Sequence, residues 1–495
     1  MRPDRKMTIL MLLATVLGGC KVTAEDVEEW KGTVKGPGKI VAVMVSDSYP
    51  MELRTKAALA LVEMERSDVN GVAELQSALS KKTDGETRQE IIDRMVPELD
   101  RMMAGGDSAE SADGPLPAQV QAKDAAYTLI SHAGPEARKK LTKAVVSWYS
   151  VDFNGRSLAG DYSAEQVVRE LGAPAAEQLV DALNPRMPQP ALVKIAELIG
   201  EAGDEDTRKR AAERLVEIQK EMEEDEFKEW LEGKIRKELK EDSEGEPDAK
   251  RVKAIAVLNR EKFINEGALP AMKHLADQEV VSDRLLAIAA VDSDNEMVVE
   301  RRKRALQALE GNAQEKDLDT YLALALEEEN PVPVRDYAFD RVGDIRSKKA
   351  LPELWPLVQS SSNDRLRWRA GELVLAIGGA DVVPEFFGEL PSGAEFAREE
   401  LEGYATRIGQ MKPVPIEEVR GRLGSQKWWE RVIALEFLAR KGEAADVARM
   451  KKLTDDAAKI GGPNWPQDAT VGSVATKAVE RLEERLAQPS GEQQG

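Results

Sequence analysis

The side chains best suited to chemistry are few. One cysteine, Cys20, and two histidines, His132 and His274, occur in 495 residues. A lone thiol forms no internal disulfide and no thiolate metal cluster. Two histidines and no second cysteine make neither a Cys/His nucleophile pair nor a multi-histidine metal site. His132 precedes Gly134 and Pro135, where its charge suits a helix C-terminus. His274, in LPAMKHLAD, falls on a helix after a proline, as a surface or half-buried side chain. Two loops imitate ligand motifs and fail on spacing. GTVKGPGK at 32–39 would need glycine at Thr33 and a hydroxyl residue at Ile40 to cradle phosphate. Asp292, Asp294 and Glu296 begin as a calcium loop begins, but Met297 replaces its glycine and Lys303 its bidentate glutamate, which leaves a helix cap. With 90 acidic residues, carboxylate pairing alone nominates no acid–base couple. The sequence therefore predicts no catalytic, cofactor-binding or metal-binding residue, no cofactor, and no enzyme.

The scaffold that would carry any site is large and rich in aliphatic residues. Hydrophobic residues make up 42% of the chain and aromatics only 5%, so a core of Ala, Leu, Val and Ile suits closely packed helices. A formal charge of -20, from 70 basic and 90 acidic residues, argues against nucleic acid as a partner, because phosphate binding requires clustered Lys and Arg.

The first twenty residues carry an address. Arg2, Arg5 and Lys6 precede an apolar run from Met7 to Leu17, then Gly18, Gly19 and Cys20. The run is shorter than the roughly 20 residues that span a bilayer and matches the h-region of a signal peptide. Leu17-Gly18-Gly19-Cys20 resembles the lipobox of bacterial lipoproteins. The resemblance implies a signal peptide at 1–19, cleavage between Gly19 and Cys20, acylation of Cys20 with palmitate-like chains, and a membrane anchor. Lys21, in place of the aspartate that retains many such proteins at the inner membrane, favours the outer membrane, on its periplasmic or surface face. Residues 20–35 read as a short tether; at roughly 3.4 Å per residue they would hold the body within about 54 Å of the lipid.

Beyond the tether one pattern recurs: Arg, then Ala three residues on, then Leu or Val seven residues on. It occurs from Arg54, Arg208, Arg251, Arg284, Arg302, Arg335, Arg367 and Arg431, with a looser copy at Arg398 and a lysine version at Lys123. Positions i, i+3 and i+7 share one helical stripe, so Ala admits a neighbouring helix and Leu or Val fills the core behind it. Polar caps precede some stripes, as Asn330 before Arg335 and Asn363 before Arg367. From Arg302 through Arg335, Arg367 and Arg398 to Arg431 the steps are 33, 32, 31 and 33 residues. Each second half repeats glycine, which ends a helix, followed by proline, which opens the next: Gly172/Pro174, Gly267/Pro270, Gly343/Pro352 and Gly378-Gly379/Pro384. These features resemble HEAT repeats, in particular the short HEAT-like units of phycobilisome lyases. The resemblance implies an all-α fold, an α-solenoid of antiparallel helix pairs with a right-handed superhelical sense and repeats of about 31–33 residues.

The expected organisation is N-terminal repeats over 36–103, a flexible linker or loop at 104–118, a solenoid over 119–486 and a disordered tail at 487–495. Residues 221–250 interrupt the array with 13 acidic and 6 basic side chains. A continuous helix over 206–241 would reach roughly 54 Å; it reads either as a solvated charged helix with one apolar seam or as a protruding partner contact. Trp428 and Trp429 adjoin a stripe, Trp368 stands among Arg365, Arg367 and Arg369, and Trp230 lies in the insertion; these tryptophans are the candidate partner contacts. The functional expectation is a membrane-anchored scaffold that binds a protein partner in the cell envelope. A lyase-like enzyme or a small-ligand binder is the alternative, and the oligomeric state is left open.

Overall fold

The computed structural model describes residues 22–64, 68–105, 115–241, 246–361 and 364–488. Gly19, Cys20, the signal segment, Asn363, most of the 104–118 linker and the tail from 489 lie outside them. Every regular element described is helical; the sole departure is an isolated antiparallel bridge between Lys459 and Thr470. The chain is a helical-repeat protein, an α-solenoid in two compact units, Met1–Val281 and Ser282–Gly495.

In the second unit the stripe helices form one row. Glu296–Ala308 packs on Val332–Ile345, which packs on Asp364–Gly378, then Arg398–Gly409, Trp428–Lys441 and Val471–Ala487 in order. A second row holds the shorter partners, among them Leu318–Leu326 and Leu351–Val358, each against the stripe helix that follows it. In the first unit Met51–Val62 packs on Gly85–Met103, that helix on Pro117–Ile130 and Pro135–Val151, and the latter on Ala173–Ala182.

The stripe is core in most copies. Ala57, Leu61, Ala211, Leu215, Ala305, Leu309, Ala338, Val342, Ala370, Val374, Ala434 and Leu438 are all buried. Two copies are not core: Ala254 and Ala287 are exposed, Leu258 is 58% exposed and Val291 47%. Those helices bury Val252 with Ala256, and Leu285 with Ile288, so the face turned inward is rotated from the one the pattern marked.

Three of the stripe arginines are helix clips. Arg54 Nε donates to the Met44 carbonyl at 2.9 Å, Arg302 Nε to Ala289 at 2.9 Å and Arg335 Nε to Ala325 at 3.1 Å. Each acceptor lies in the last residues of the preceding helix, where carbonyls lack intrahelical partners and the helix dipole favours a cation. Asn330 differs from its expected cap role. Pro331 is the N-cap of Val332–Ile345, while Asn330 Oδ1 accepts from Arg302 Nη2 at 2.5 Å and its amide donates to Leu324 O.

Pro174, Pro352 and Pro384 stand in first turns as expected, whereas Gly267 and Pro270 fall inside one run of helix that passes from Ala249–Lys262 through a π-helical Phe263–Ala268 into Leu269–Lys273. Gly172 and Gly379 adopt φ of +66° at the junctions before Pro174 and Pro384. Gly343 does not end its helix; the turn comes at Arg346, a non-glycine with φ of 53°. The insertion is also not one straight rod. Glu205–Glu221 ends at a turn over residues 222–224, and Asp225–Glu241 folds onto Ala249–Lys262, burying Phe227, Leu231 and Ile235. The apolar seam of Phe227, Leu231 and Ile235 finds a neighbour that a straight continuation would have forgone, and Met222 at the corner is itself buried.

Candidate functional site

A concavity of the second unit lies across three consecutive stripe helices. Asp336, Tyr337 and Asp340 share one face of Val332–Ile345, and Arg365, Trp368, Arg369 and Glu372 share one face of Asp364–Gly378. Spacing of three and four residues puts each set on a single stripe, and packing the two helices side by side sets the stripes facing the same hollow. Its volume is about 950 Å³. A second hollow of about 310 Å³ continues it past Lys303 and Pro333 toward Asp294, Glu296 and Val299.

Ion pairs tie the walls together from repeat to repeat. Arg365 pairs with Asp336 and Arg369 with Asp340, each bridging 29 residues of chain. Similar rungs recur in the first unit, as Arg169 with Glu201 at 2.8 Å and Lys31 with Glu63 at 3.0 Å. Tyr337 Oη accepts from Gln307 Nε2 at 2.6 Å, which fixes the ring at the edge of the hollow. Trp368 is half-buried, and Gly403 makes room for its indole: a Cβ there would lie 3.1 Å from Nε1. Val332, Pro333, Ala397 and Pro463 supply further apolar lining.

Below the hollow lies a buried charge pair. Arg367 reaches Glu400 with two hydrogen bonds, 2.8 and 2.9 Å, and donates to the Ser360 and Glu395 carbonyls at 3.2 and 2.8 Å. Tyr404 Oη donates to Glu400 Oε1 at 2.9 Å. Burial pushes the Glu400 carboxyl above its ordinary value against the pull of Arg367 and Tyr404, and burial pushes the Tyr404 phenol up as well. The pair anchors the loop before Arg398–Gly409 to the stripe helix and so shapes one wall.

The other sequence candidates lie elsewhere. Trp429 is buried and Trp428 half-buried; the two rings pack edge to face, and both lie within 6.0 Å of the Phe396 ring from a loop. Trp230 is half-buried between Phe227 and Phe263, with the Arg186 guanidinium 5.7 Å and the Lys234 ammonium 5.6 Å from its ring. His132 Nε2 lies 3.3 Å from Ser80 Oγ, its basicity lowered by burial and by Arg88. His274 closes Leu269–Lys273 and is lowered mainly by burial. Asn295, inside the calcium-like run, caps Glu296–Ala308 by accepting from the Met297 amide at 3.0 Å. In the phosphate-loop imitation, Lys39 lies over the Trp30 ring at 4.8 Å.

Tyr337, Asp336, Asp340 and Glu400 were not marked by the sequence. Each gains its place only from a residue about one repeat away, which no local motif records. Among the described residues no group of three or more His, Cys, Asp or Glu side chains is placed to hold a metal, and no helix is long and apolar enough to cross a membrane.

No protein-family model matches the chain, and no curated protein matches it. Among solved structures it is similar to the karyopherin Kap121p bound to the SUMO protease Ulp1p, at 15% identity and a TM-score of 0.36 over 97% of this chain and 48% of that one. Kap121p bound to Pho4p gives 13% and 0.33 over 97% and 48%; importin beta in an ammonium sulfate condition gives 11% and 0.24 over 91% and 70%. The chain spans about half the length of the Kap121p chains it matches.

Proposed function

We propose that this protein is a scaffold of the cell envelope, tethered by lipid on Cys20 and binding a protein partner through its helical-repeat surface. The observation that carries the binding reading is the hollow of about 950 Å³ across Val332–Ile345 and Asp364–Gly378, in which Trp368 and Tyr337 stand over an apolar lining. Concave, mostly apolar surfaces with a few fixed polar groups and an aromatic anchor are where binding energy concentrates. The tethering reading rests on Arg2, Arg5 and Lys6, the apolar run and Leu17-Gly18-Gly19-Cys20. Two or three acyl chains, at roughly 0.8 kcal/mol per buried methylene, hold a protein on a membrane, and tethering raises the local concentration of an envelope partner.

Two measurements on cells test the reading. Fatty-acid labelling of wild type is expected and labelling of Cys20→Ala is not; equal partition of both into the soluble fraction overturns the tether. A pull-down from detergent-solubilised membranes is expected to retain one stoichiometric protein with wild type and lose it with Trp368→Ala. Equal retention by both removes the hollow as the binding site.

A further inference from the structure

Resting on the binding reading above, the groove's charges specify its occupant: we infer that it takes a polypeptide segment of the partner in which Lys or Arg side chains flank an apolar one. The two hollows share Lys303 and Pro333 and together cross Glu296–Ala308, Val332–Ile345 and Asp364–Gly378. Helices in contact lie 8–10 Å apart, so the path across three of them is roughly 20 Å, the length of about six extended residues.

The apolar position is set by Tyr337 and Pro333 on the middle helix of this path and by Trp368 on the third. The charged positions are set by carboxylates left over after internal pairing. Lining cations are already engaged: Lys303 with Glu300 at 2.5 Å, Arg365 with Asp336 and Arg369 with Asp340. Glu400 is engaged by Arg367 from beneath. Asp294, Glu296 and Asp364 also line the groove, are exposed, and have no ion-pair partner among the described residues. Asp294 and Glu296 stand at the start of the first helix and Asp364 opens the third, one turn before Trp368, so the carboxylates sit on the two outer helices with Tyr337 and Pro333 on the helix between. An acidic segment would meet these carboxylates uncompensated, whereas a basic one pairs with them without breaking the rungs that hold the helices together. Because the three carboxylates are exposed, their contribution falls as salt screens it.

The test uses the full chain in detergent and three fluorescein-labelled heptapeptides, alternating leucine with lysine, serine or glutamate, read by anisotropy. The expected result is binding of the lysine peptide about tenfold tighter than the serine peptide, with the glutamate peptide weaker still. The tenfold advantage should vanish in the double variant Glu296→Gln/Asp364→Asn and shrink at high salt, while both variant and wild type lose all three peptides on Trp368→Ala. Equal affinity for the three peptides, abolished by Trp368→Ala, overturns the basic partner and leaves the groove as a peptide site. Binding of none overturns the groove as a peptide site too, and a lysine preference that survives in the double variant places the recognition elsewhere.

Discussion

Arg302 and Ala289 are joined by a hydrogen bond of 2.9 Å from the guanidinium Nε to the last carbonyl of the helix Glu279–Ala289. The same guanidinium reaches Ser293 O at 3.3 Å and Asn330 Oδ1 at 2.5 Å, so one buried side chain closes a helix, a turn and the next repeat. At Arg54, Arg302 and Arg335 the recurring arginine thus answers a backbone problem, the unpaired carbonyls at the end of the preceding helix.

Arg302→Met keeps length and apolar bulk but leaves those acceptors buried and unmatched. It is expected to destabilise the protein by about 2–4 kcal/mol. Arg251→Met, at an exposed copy of the same motif, should change stability by no more than about 0.5 kcal/mol. Urea titrations of both variants check the contrast, and equal losses would refute the clip.

The contrast also shows what was legible. The period, the prolines and the inward Ala and Leu positions follow from helical geometry, and most copies took the expected face. At Arg251 and Arg284 the pattern matched a face that the neighbours did not cover, because i, i+3, i+7 spacing fixes a stripe but not which way it turns. Trp368, Arg365 and Arg369 were visible as a cluster. Asp336 and Asp340 were not, since their meaning comes from arginines 29 residues further on. The break at 222–224 was hidden because a charged sequence of high helix propensity does not announce where its apolar seam will find a partner.

Close approach of adjacent stripe helices makes Gly371 irreplaceable by even one methyl group. A Cβ there would lie 2.6 Å from Tyr404 Cε1 and 2.7 Å from its oxygen. Tyr404 is fixed by Glu400, so it has little freedom to retreat. Gly371→Ala is expected to cost about 1–3 kcal/mol through overpacking. Gly388→Ala, with open space around its Cβ, is the control for helix propensity and should be neutral to stabilising in the same thermal melts.

Acid should loosen the C-terminal repeats through Asp446. Burial pushes its carboxyl up, but Arg420, in hydrogen bonds of 2.8 and 2.8 Å, and the Glu443 amide at 2.8 Å pull it net below its ordinary value. A carboxyl lowered in the folded state adds stability above its unfolded value, about 3.9, and loses it as pH falls toward the folded one. Wild type should therefore be more stable than Asp446→Asn at pH 7, and the difference should close below about pH 4. Melting temperatures of both proteins from pH 7 to pH 2.5 read this directly; a gap that stays constant over that range removes the linkage.

Lys123 shows the clip built from a different cation. It is fully buried, pairs with Asp124, and donates to the Ala159 and Tyr162 carbonyls at 2.8 Å each. Its ammonium also lies 5.6 Å from the Trp148 ring and 5.2 Å from the Tyr149 ring. Burial lowers its basicity, opposed by Asp124 and Asp161, and Asp124 Oδ2 in turn accepts from the Asp161 amide at 3.0 Å. Removing the cation leaves Asp124 buried without its partner, a loss of about 3–5 kcal/mol. Lys123→Met should thus destabilise the first unit strongly, whereas Lys123→Met/Asp124→Asn, which removes both charges, should recover part of the loss. Hydrogen exchange separates the two contributions: the single variant is expected to speed exchange at the Asp161 amide and the double variant to speed it less. Equal destabilisation by both would mean that the lost carbonyl bonds, and not the orphaned carboxylate, carry the effect.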